Sequence, residues 1–203
     1  MNPASAAIIL IGFQNDYFAA DGILHGVLED PKGCKQSLQN TLDLLSALQT
    51  SGLHFISTPI IFTPTYEELV DPVGILKTIR DVGAFRADSS GSATVPELAQ
   101  FGNRIVEIPG KRGLNAFSET ALDEFLSSHG VKHLILAGAV TSLCIDSTGR
   151  SAHERGYRVT ILSDCTCGRT VFEQEFYCSQ IFPMYANVIT SGELARGFSE
   201  VHD

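Results

Sequence analysis

Residues 6–18 read AAIILIGFQNDYF, six apolar residues followed by a short loop rich in polar side chains. A continuous apolar run of this length is typical of a strand that is buried on both faces of a parallel sheet. Similar runs predict five more strands, at residues 54–61, 104–108, 133–137, 158–162 and 187–190. Because helical patterns separate most of these runs, the sequence predicts an α/β fold, a doubly wound sheet of about six parallel strands with helices on both faces.

Two of the connecting helices have clear sequence patterns. The first has leucines at helical spacing that stop before a glycine (Leu38, Leu42, Leu45, Leu48 and Gly52). The second is predicted to open at residues 118–120 and carries Leu122, Phe125 and Leu126. We interpret both apolar stripes as core packing. The least regular stretch, Pro64 to Pro96, predicts a helix-bearing excursion over the strand ends, where a substrate lid would sit.

Composition limits the classes of function. A chain of 203 residues that is 44% hydrophobic has enough apolar side chains for one large core, so we expect a single domain over 1–203. A net charge of −9 without a basic cluster argues against nucleic-acid binding. The apolar run at the N-terminus is too short for a membrane span or a signal sequence. We therefore expect a small-molecule substrate, no membrane association and, with five unpaired-looking cysteines, a reducing cytoplasmic location.

The residues that directly follow the strands are the candidates for chemistry, because ligands bind open parallel sheets at the carboxyl ends of the strands. Cys144 follows the fourth strand and is predicted to lie at the start of a helix that runs through Asp146, Arg150 and His153. Unpaired N–H groups and the helix dipole stabilise an anion there, and a thiolate is such an anion. Lys111, after the third strand, would add a positive charge beside it. The alternative is that Cys144 is an inert, small apolar residue of the core.

The order and spacing of several short segments resemble the isochorismatase-like family of cysteine hydrolases over nearly the whole chain. The matching pieces are residues 14–18, Lys111 with residues 116–117, residues 138–141 with Cys144 and Thr148, residues 156–157 and residues 163–164. The resemblance implies a Rossmann-like sheet, Cys144 as nucleophile and Lys111 as its partner. It also implies an oxyanion hole formed by the N–H groups of Val140 and Cys144 near a cis peptide at Ala139–Val140. Substrate contacts are expected from Gln14, Phe18 and Phe117.

The chain departs from the family pattern at one position. The family's catalytic aspartate falls two residues before the glutamine, and Gly12 occupies that position here. Asp16 is not an obvious substitute, because we expect it to cap and hold the loop. General acid–base help contributes about 10²- to 10⁴-fold. The sequence therefore predicts a slow amidase or a substrate with a better leaving group, and it predicts that Gly12→Asp raises amide turnover.

No cofactor or metal is expected from the sequence. The loop after the second strand, residues 62–68, lacks the histidines with which nicotinamidases bind a metal, so a zinc-dependent nicotinamidase is not predicted. The six histidines show no ligand spacing, and we expect surface or hydrogen-bonded roles for them (His25, His54, His129, His133, His153 and His202).

Two functional hypotheses remain from the sequence. The first is a hydrolase that acts through the Cys144 thiolate on a small amide, ester or related C–N or C–O bond. The alternative is a catalytically impaired protein on the same fold that binds a small molecule or a partner without turnover. In either case the resemblance implies a homodimer or higher homo-oligomer, since closed two-fold contacts are the commonest solution.

Overall fold

The computed structural model describes residues 2–199 and contains one parallel sheet. Its strands are β1 (Ala6–Ile11), β2 (His54–Thr58), β3 (Ile105–Glu107), β4 (His133–Ala139), β5 (Arg158–Cys167) and β6 (Asn187–Ile189). The spatial order is β3-β2-β1-β4-β5-β6, with every neighbouring pair parallel. All six predicted strands are confirmed, although β5 continues five residues beyond the predicted end.

Helices cover both faces of the sheet. In chain order they are α1 (Asn15–Phe18), α2 (Pro31–Ala47), α3 (Gly74–Val82), α4 (Leu122–Ser128), α5 (Asp146–Glu154), α6 (Val171–Phe176) and α7 (Ser191–Ser199). The leucine stripe lies in α2 as predicted, and α4 begins at Leu122. No helix within residues 2–199 is long and apolar enough to cross a bilayer.

The core has two layers, one on each side of the sheet, because successive side chains of a strand point to opposite faces. Ala7, Ile9 and Ile11 of β1 belong to the layer that includes residues of α4 and α5. The alternate residues of β1 belong to the layer under α2 and α7. Burial of β1 on both faces explains why its sequence is continuously apolar rather than alternating.

The strand order changes direction between β1 and β4, which are neighbours in the sheet but are separated in sequence by β2 and β3. The helices that follow these two strands therefore diverge to opposite faces, and a crevice opens at their carboxyl ends. Ile11, the last residue of β1, pairs with Gly138 near the end of β4. The loops that carry Gly12 and Cys144 consequently leave the sheet side by side.

Candidate active site

Cys144 lies in a turn that directly continues β4. A cis peptide joins Ala139 to Val140, and the chain then forms a π-helical turn, Thr141–Ile145, that leads into α5. The Val140 carbonyl accepts hydrogen bonds from the N–H groups of Leu143, at 3.0 Å, and Ile145, at 3.2 Å. The Cys144 side chain is only 2% exposed. The thiol is thus held at the entrance of a helix, as the sequence predicted, but inside the protein.

Lys111 is completely buried and reaches this thiol. Its ammonium group donates to the Gly113 carbonyl at 2.6 Å and lies 3.5 Å from Cys144 Sγ. Burial lowers the pKa of Lys111, whereas the neighbouring Cys144 acts in the opposite direction by favouring the charged amine. The structure therefore brings together the lysine and cysteine that the sequence singled out from positions 33 residues apart.

Two glycines let the ends of β1 and β4 approach closely. Gly12 has φ +70°, and a Cβ atom built on it would lie 2.5 Å from the Ala139 carbonyl oxygen. Gly138 has φ +126°, and its Cβ would lie 1.8 Å from the Ile11 carbonyl oxygen. Real Cβ atoms do not come this close to an oxygen, so both positions require glycine. That Gly12→Asp raises amide turnover stays a prediction, and the substitution would also require the Ala139 backbone to shift.

Gln14 and Asp16 tie the loop after β1 to more distant segments. The Gln14 amide group donates to the carbonyls of Ile60, at 2.8 Å, and Ser92, at 2.7 Å, and it accepts from the Ile60 N–H at 2.9 Å. One Asp16 carboxylate oxygen accepts from the Phe85 N–H at 2.6 Å. The loop-holding role expected for Asp16 is confirmed. Both amide hydrogens of Gln14 are used within the protein, which favours a positioning role over the predicted substrate contact.

The predicted excursion over residues 64–96 does carry a helix, α3, and it lies against the loop after β1. A β-bridge between Phe62 and Arg86 joins the segments before and after α3. Tyr66 donates its hydroxyl to the Ala84 carbonyl at 2.6 Å. Together with the Gln14 and Asp16 contacts, these bonds hold the excursion closed over this edge of the sheet.

The two phenylalanines predicted to contact substrate each pack against another aromatic ring. Phe18 packs on Phe13, with ring centroids 5.2 Å apart, and lines a cavity of 450 Å³ beside α2 whose lining residues do not include Cys144. Phe117 stacks on Tyr157 at 6.0 Å and lies under the guanidinium of Arg155 at 4.8 Å, near the end of α5 remote from Cys144. These contacts do not test the substrate roles of Phe18 and Phe117, which stay predictions.

Helix α6 supplies contacts to the Cys144 turn that the sequence did not reveal. The Thr141 hydroxyl donates to the Gln174 side-chain oxygen, and Ser142 forms a hydrogen bond with Glu173. Burial alone would raise the pKa of Glu173, but hydrogen bonds from Ser142 and Arg169 outweigh it and lower that pKa. The contacts span more than 30 residues, and no sequence pattern connects the two segments.

Tyr17 is a further residue of this region that the sequence did not single out. Its ring is 2% exposed and packs edge-on against Phe85, with centroids 5.2 Å apart. It belongs to the same buried cluster as Cys144. The sequence marked it only as part of the segment 14–18 that resembles the family.

Within residues 2–199, histidine, cysteine, aspartate and glutamate form no group of three or more that could hold a metal ion. His202 lies outside the described residues. All five cysteines fall within the described range, and none forms a disulfide.

Comparisons with known proteins agree with this architecture. A family model described as the isochorismatase domain matches residues 6–193. Ureidoacrylate amidohydrolase RutB of Variovorax paradoxus is 26% identical over 98% of this chain and 83% of its own. Nicotinamidase 3 of Arabidopsis thaliana is also 26% identical, over 87% of this chain and 78% of its own.

Among solved structures, a cysteine hydrolase from Pseudomonas syringae superposes with a TM-score of 0.86 over 98% of this chain and 95% of its own, at 21% identity. At that identity the superposition speaks for the fold alone, whereas the family match extends over nearly the whole sequence. The chain belongs to the isochorismatase family, and the family and its relatives indicate a hydrolase.

Proposed function

We propose that this protein is a cysteine-dependent hydrolase that cleaves a small amide, ester or related C–N or C–O bond through the thiolate of Cys144. The observation that carries the proposal is the buried pair of Lys111 Nζ and Cys144 Sγ, 3.5 Å apart at the carboxyl edge of the sheet. A buried lysine costs free energy unless it is paired, so the pair needs a reason beyond stability.

In this mechanism Lys111 stays charged and holds the Cys144 sulfur as a thiolate. The Gly113 carbonyl fixes the position of the ammonium group, so little reorganisation is needed when a substrate arrives. Attack on the carbonyl carbon produces an oxyanion next to the Val140 and Cys144 N–H groups. Donors of this kind contribute about 3 kcal/mol each to the barrier reduction, because they act in a site from which water is excluded.

The substrate is expected to be small. Cys144 is 2% exposed, and the nearby Tyr17 and Phe85 rings are fully buried, so only a small group can reach the sulfur. The relatives named for ureidoacrylate and for nicotinamide act on small molecules with a carbonyl-linked nitrogen. Both compounds are therefore sensible first substrates for assay.

Thiol mapping tests the nucleophile directly. At neutral pH we expect iodoacetamide to modify Cys144 first, because burial raises the pKa of Cys165 to about 12 and of Cys178 to about 11. A hydrogen bond with Cys34, together with burial, also raises the pKa of Cys167. Peptide mapping after limited labelling identifies the site, and Lys111→Met should slow labelling of Cys144 because the sulfur loses its buried cationic partner. Preferential labelling of another cysteine would contradict the proposal.

A binding protein without turnover is the second candidate, and Gly12 is the observation that favours it. The residue has no side chain that can carry a proton, and the space around it is filled. A reactive Cys144 that forms no acyl adduct with para-nitrophenyl acetate would support this candidate and exclude the hydrolase. An acetyl adduct on Cys144 that forms and then hydrolyses to release acetate would support the hydrolase.

A further inference from the structure

Two cysteines that take no part in the proposed reaction lie together between α2 and the end of β5. Cys34 is near the beginning of α2, and Cys167 is the last residue of β5. Each is 4% exposed, both belong to one buried cluster, and both line the same cavity of 290 Å³. The two side chains form a hydrogen bond, so their sulfur atoms are already in contact. Both thiols are free in this structure.

Two hydrogen bonds hold the segments that carry these cysteines against each other. Just before α2, the Glu29 N–H donates to the Arg169 carbonyl at 2.7 Å. Further along α2, the Asn40 side chain donates to the Asp164 carbonyl at 2.7 Å. In both segments the cysteine lies between the two bonded residues. The backbone is therefore fixed on either side of the pair, which favours the close approach that a disulfide requires.

The cavity gives a small oxidant a way to the pair. Its lining is largely polar and includes Ser37, Asn40 and Gln174. Cys34 also lines the cavity of 450 Å³ beside α2, so it borders open space in two places. A molecule as small as hydrogen peroxide needs little more room than a water molecule and fits either cavity. Cys144 lines neither of them, so this thiol pair is separate from the candidate active site.

We infer that Cys34 and Cys167 are a redox modification site, at which hydrogen peroxide converts the two thiols into a reversible disulfide. Cys34 is the thiol that reacts first. The hydrogen bond with Cys34 and burial both raise the pKa of Cys167, so Cys167 keeps its proton and reacts second. The inference does not depend on hydrolysis at Cys144.

The reaction balances with one peroxide molecule for each pair of thiols. The Cys34 sulfur attacks one peroxide oxygen, the O–O bond breaks, and the other oxygen leaves as water with the Cys34 proton. Cys34 is then a sulfenic acid, oxidised by two electrons. The Cys167 sulfur attacks the Cys34 sulfur, the S–O bond breaks, and a second water leaves with the Cys167 proton. The products are one disulfide and two water molecules, and a dithiol reductant restores both thiols.

Peptide mapping after oxidation tests the inference. The reduced protein is treated with hydrogen peroxide at neutral pH, the remaining thiols are blocked with N-ethylmaleimide in urea, and the sample is digested with trypsin without reduction. Trypsin cuts out residues 33–35 and residues 159–169 as separate peptides. We expect to find these two peptides joined, with a mass lower by the two hydrogen atoms that are lost, in protein that remains monomeric on a non-reducing gel. Dithiothreitol should separate them.

Variants locate the bond, because Cys165 and Cys167 fall in the same tryptic peptide. Cys165→Ser is the matched control, since Cys165 is an equally buried thiol of the same strand but packs in the other core layer. We expect the joined fraction to stay within about twofold in Cys165→Ser and to fall at least about tenfold in Cys167→Ser. In Cys167→Ser the sulfenic acid of Cys34 has no thiol to react with, so dimedone should label it.

Three results would overturn the inference. The first is a wild-type protein whose two peptides stay separate and carry only blocked thiols. The second is a joined pair that persists in Cys167→Ser, which would place the bond at Cys165. The third uses Cys34→Ser, which needs no change in β5 and so serves if Cys167→Ser does not fold. Oxidation of peptide 159–169 at the wild-type rate in that variant would show that Cys34 is not the partner.

Discussion

The loops after β4 and β1 leave the sheet side by side, but they differ in what they contribute. The β4 loop carries the proposed nucleophile, Cys144, in its π-helical turn, and Lys111, which follows β3, lies 3.5 Å from the sulfur. The β1 loop carries scaffold contacts, with Gln14 and Asp16 bound to distant backbone and no carboxylate at position 12. Substitutions in the two loops should therefore differ in effect. We expect those in the β4 loop mainly to lower turnover and those in the β1 loop mainly to lower the unfolding free energy.

The contact between Gly12 and Ala139 explains why the two loops are not independent. A glycine lies at each point of closest approach, Gly12 directly after β1 against the Ala139 carbonyl oxygen and Gly138 within β4 against the Ile11 carbonyl oxygen. Close packing of backbone leaves no space for a side chain to be added later. A side chain added at position 12 would therefore have to displace the Ala139 backbone.

The largest effect is expected at the β4 loop. Cys144→Ala should lower turnover by at least about 10³-fold, because the nucleophile is lost while the remaining site still binds substrate. Its unfolding free energy should fall by about 1 kcal/mol, because the buried Lys111 ammonium loses its sulfur partner but keeps the Gly113 carbonyl. Activity assays and urea unfolding measure the two quantities. Retained turnover would show that another residue is the nucleophile.

The β1 loop should show the opposite pattern. Gly12→Ala places a Cβ 2.5 Å from the Ala139 oxygen in a left-handed backbone conformation, so we expect a loss of about 2 kcal/mol or more in unfolding free energy. Gly12→Asp should lose at least as much. Gly26→Ala is the control, because a Cβ there meets no atom within 4 Å. Wild-type stability in Gly12→Ala would contradict the tight junction described above.

Support from α6 should have an intermediate effect. Gln174→Leu removes the acceptor of the Thr141 hydroxyl, and a loosened turn misplaces the Cys144 sulfur and the oxyanion donors. We expect kcat to fall about 10-fold with little change in KM, because the substrate pocket itself is kept. Gln36→Leu, an exposed glutamine whose side chain bonds only to Asn40 at 2.9 Å, is the control. A change in KM alone would mean that Gln174 contacts substrate instead.

Most of the fold followed from the sequence, whereas only part of the site did. The six strands could be found because continuous apolar runs report burial on both faces, and strand order then placed Cys144 and Lys111 at one edge. The hydrogen bonds of Glu173 and Gln174 with the Cys144 turn could not be found, because they join segments more than 30 residues apart without a shared pattern. The substrate role of Phe117 stays a prediction, because a loop's position does not fix the direction of its side chains.

The smallest expected effect lies at the end of β2, where Thr58 pairs in register with Ile11 just before Gly12. Its hydroxyl is fully buried and has no partner among the described residues. An unpaired buried hydroxyl keeps its desolvation cost, and valine has nearly the same shape without that cost. We therefore expect Thr58→Val to raise the unfolding free energy by roughly 1 kcal/mol and to leave acylation of Cys144 unchanged.

Thr41→Val is the matched control for this last change. Thr41 is equally buried, but its hydroxyl donates to the Ser37 carbonyl at 2.7 Å, so its loss should destabilise the protein by about 1 kcal/mol. Urea unfolding of both variants gives the sign directly. If Thr58→Val is instead destabilised like Thr41→Val, a bound water pairs with the hydroxyl beside Gly12. The edge of the sheet at β1 would then be hydrated and polar, which would contradict a purely structural role for the loop after β1.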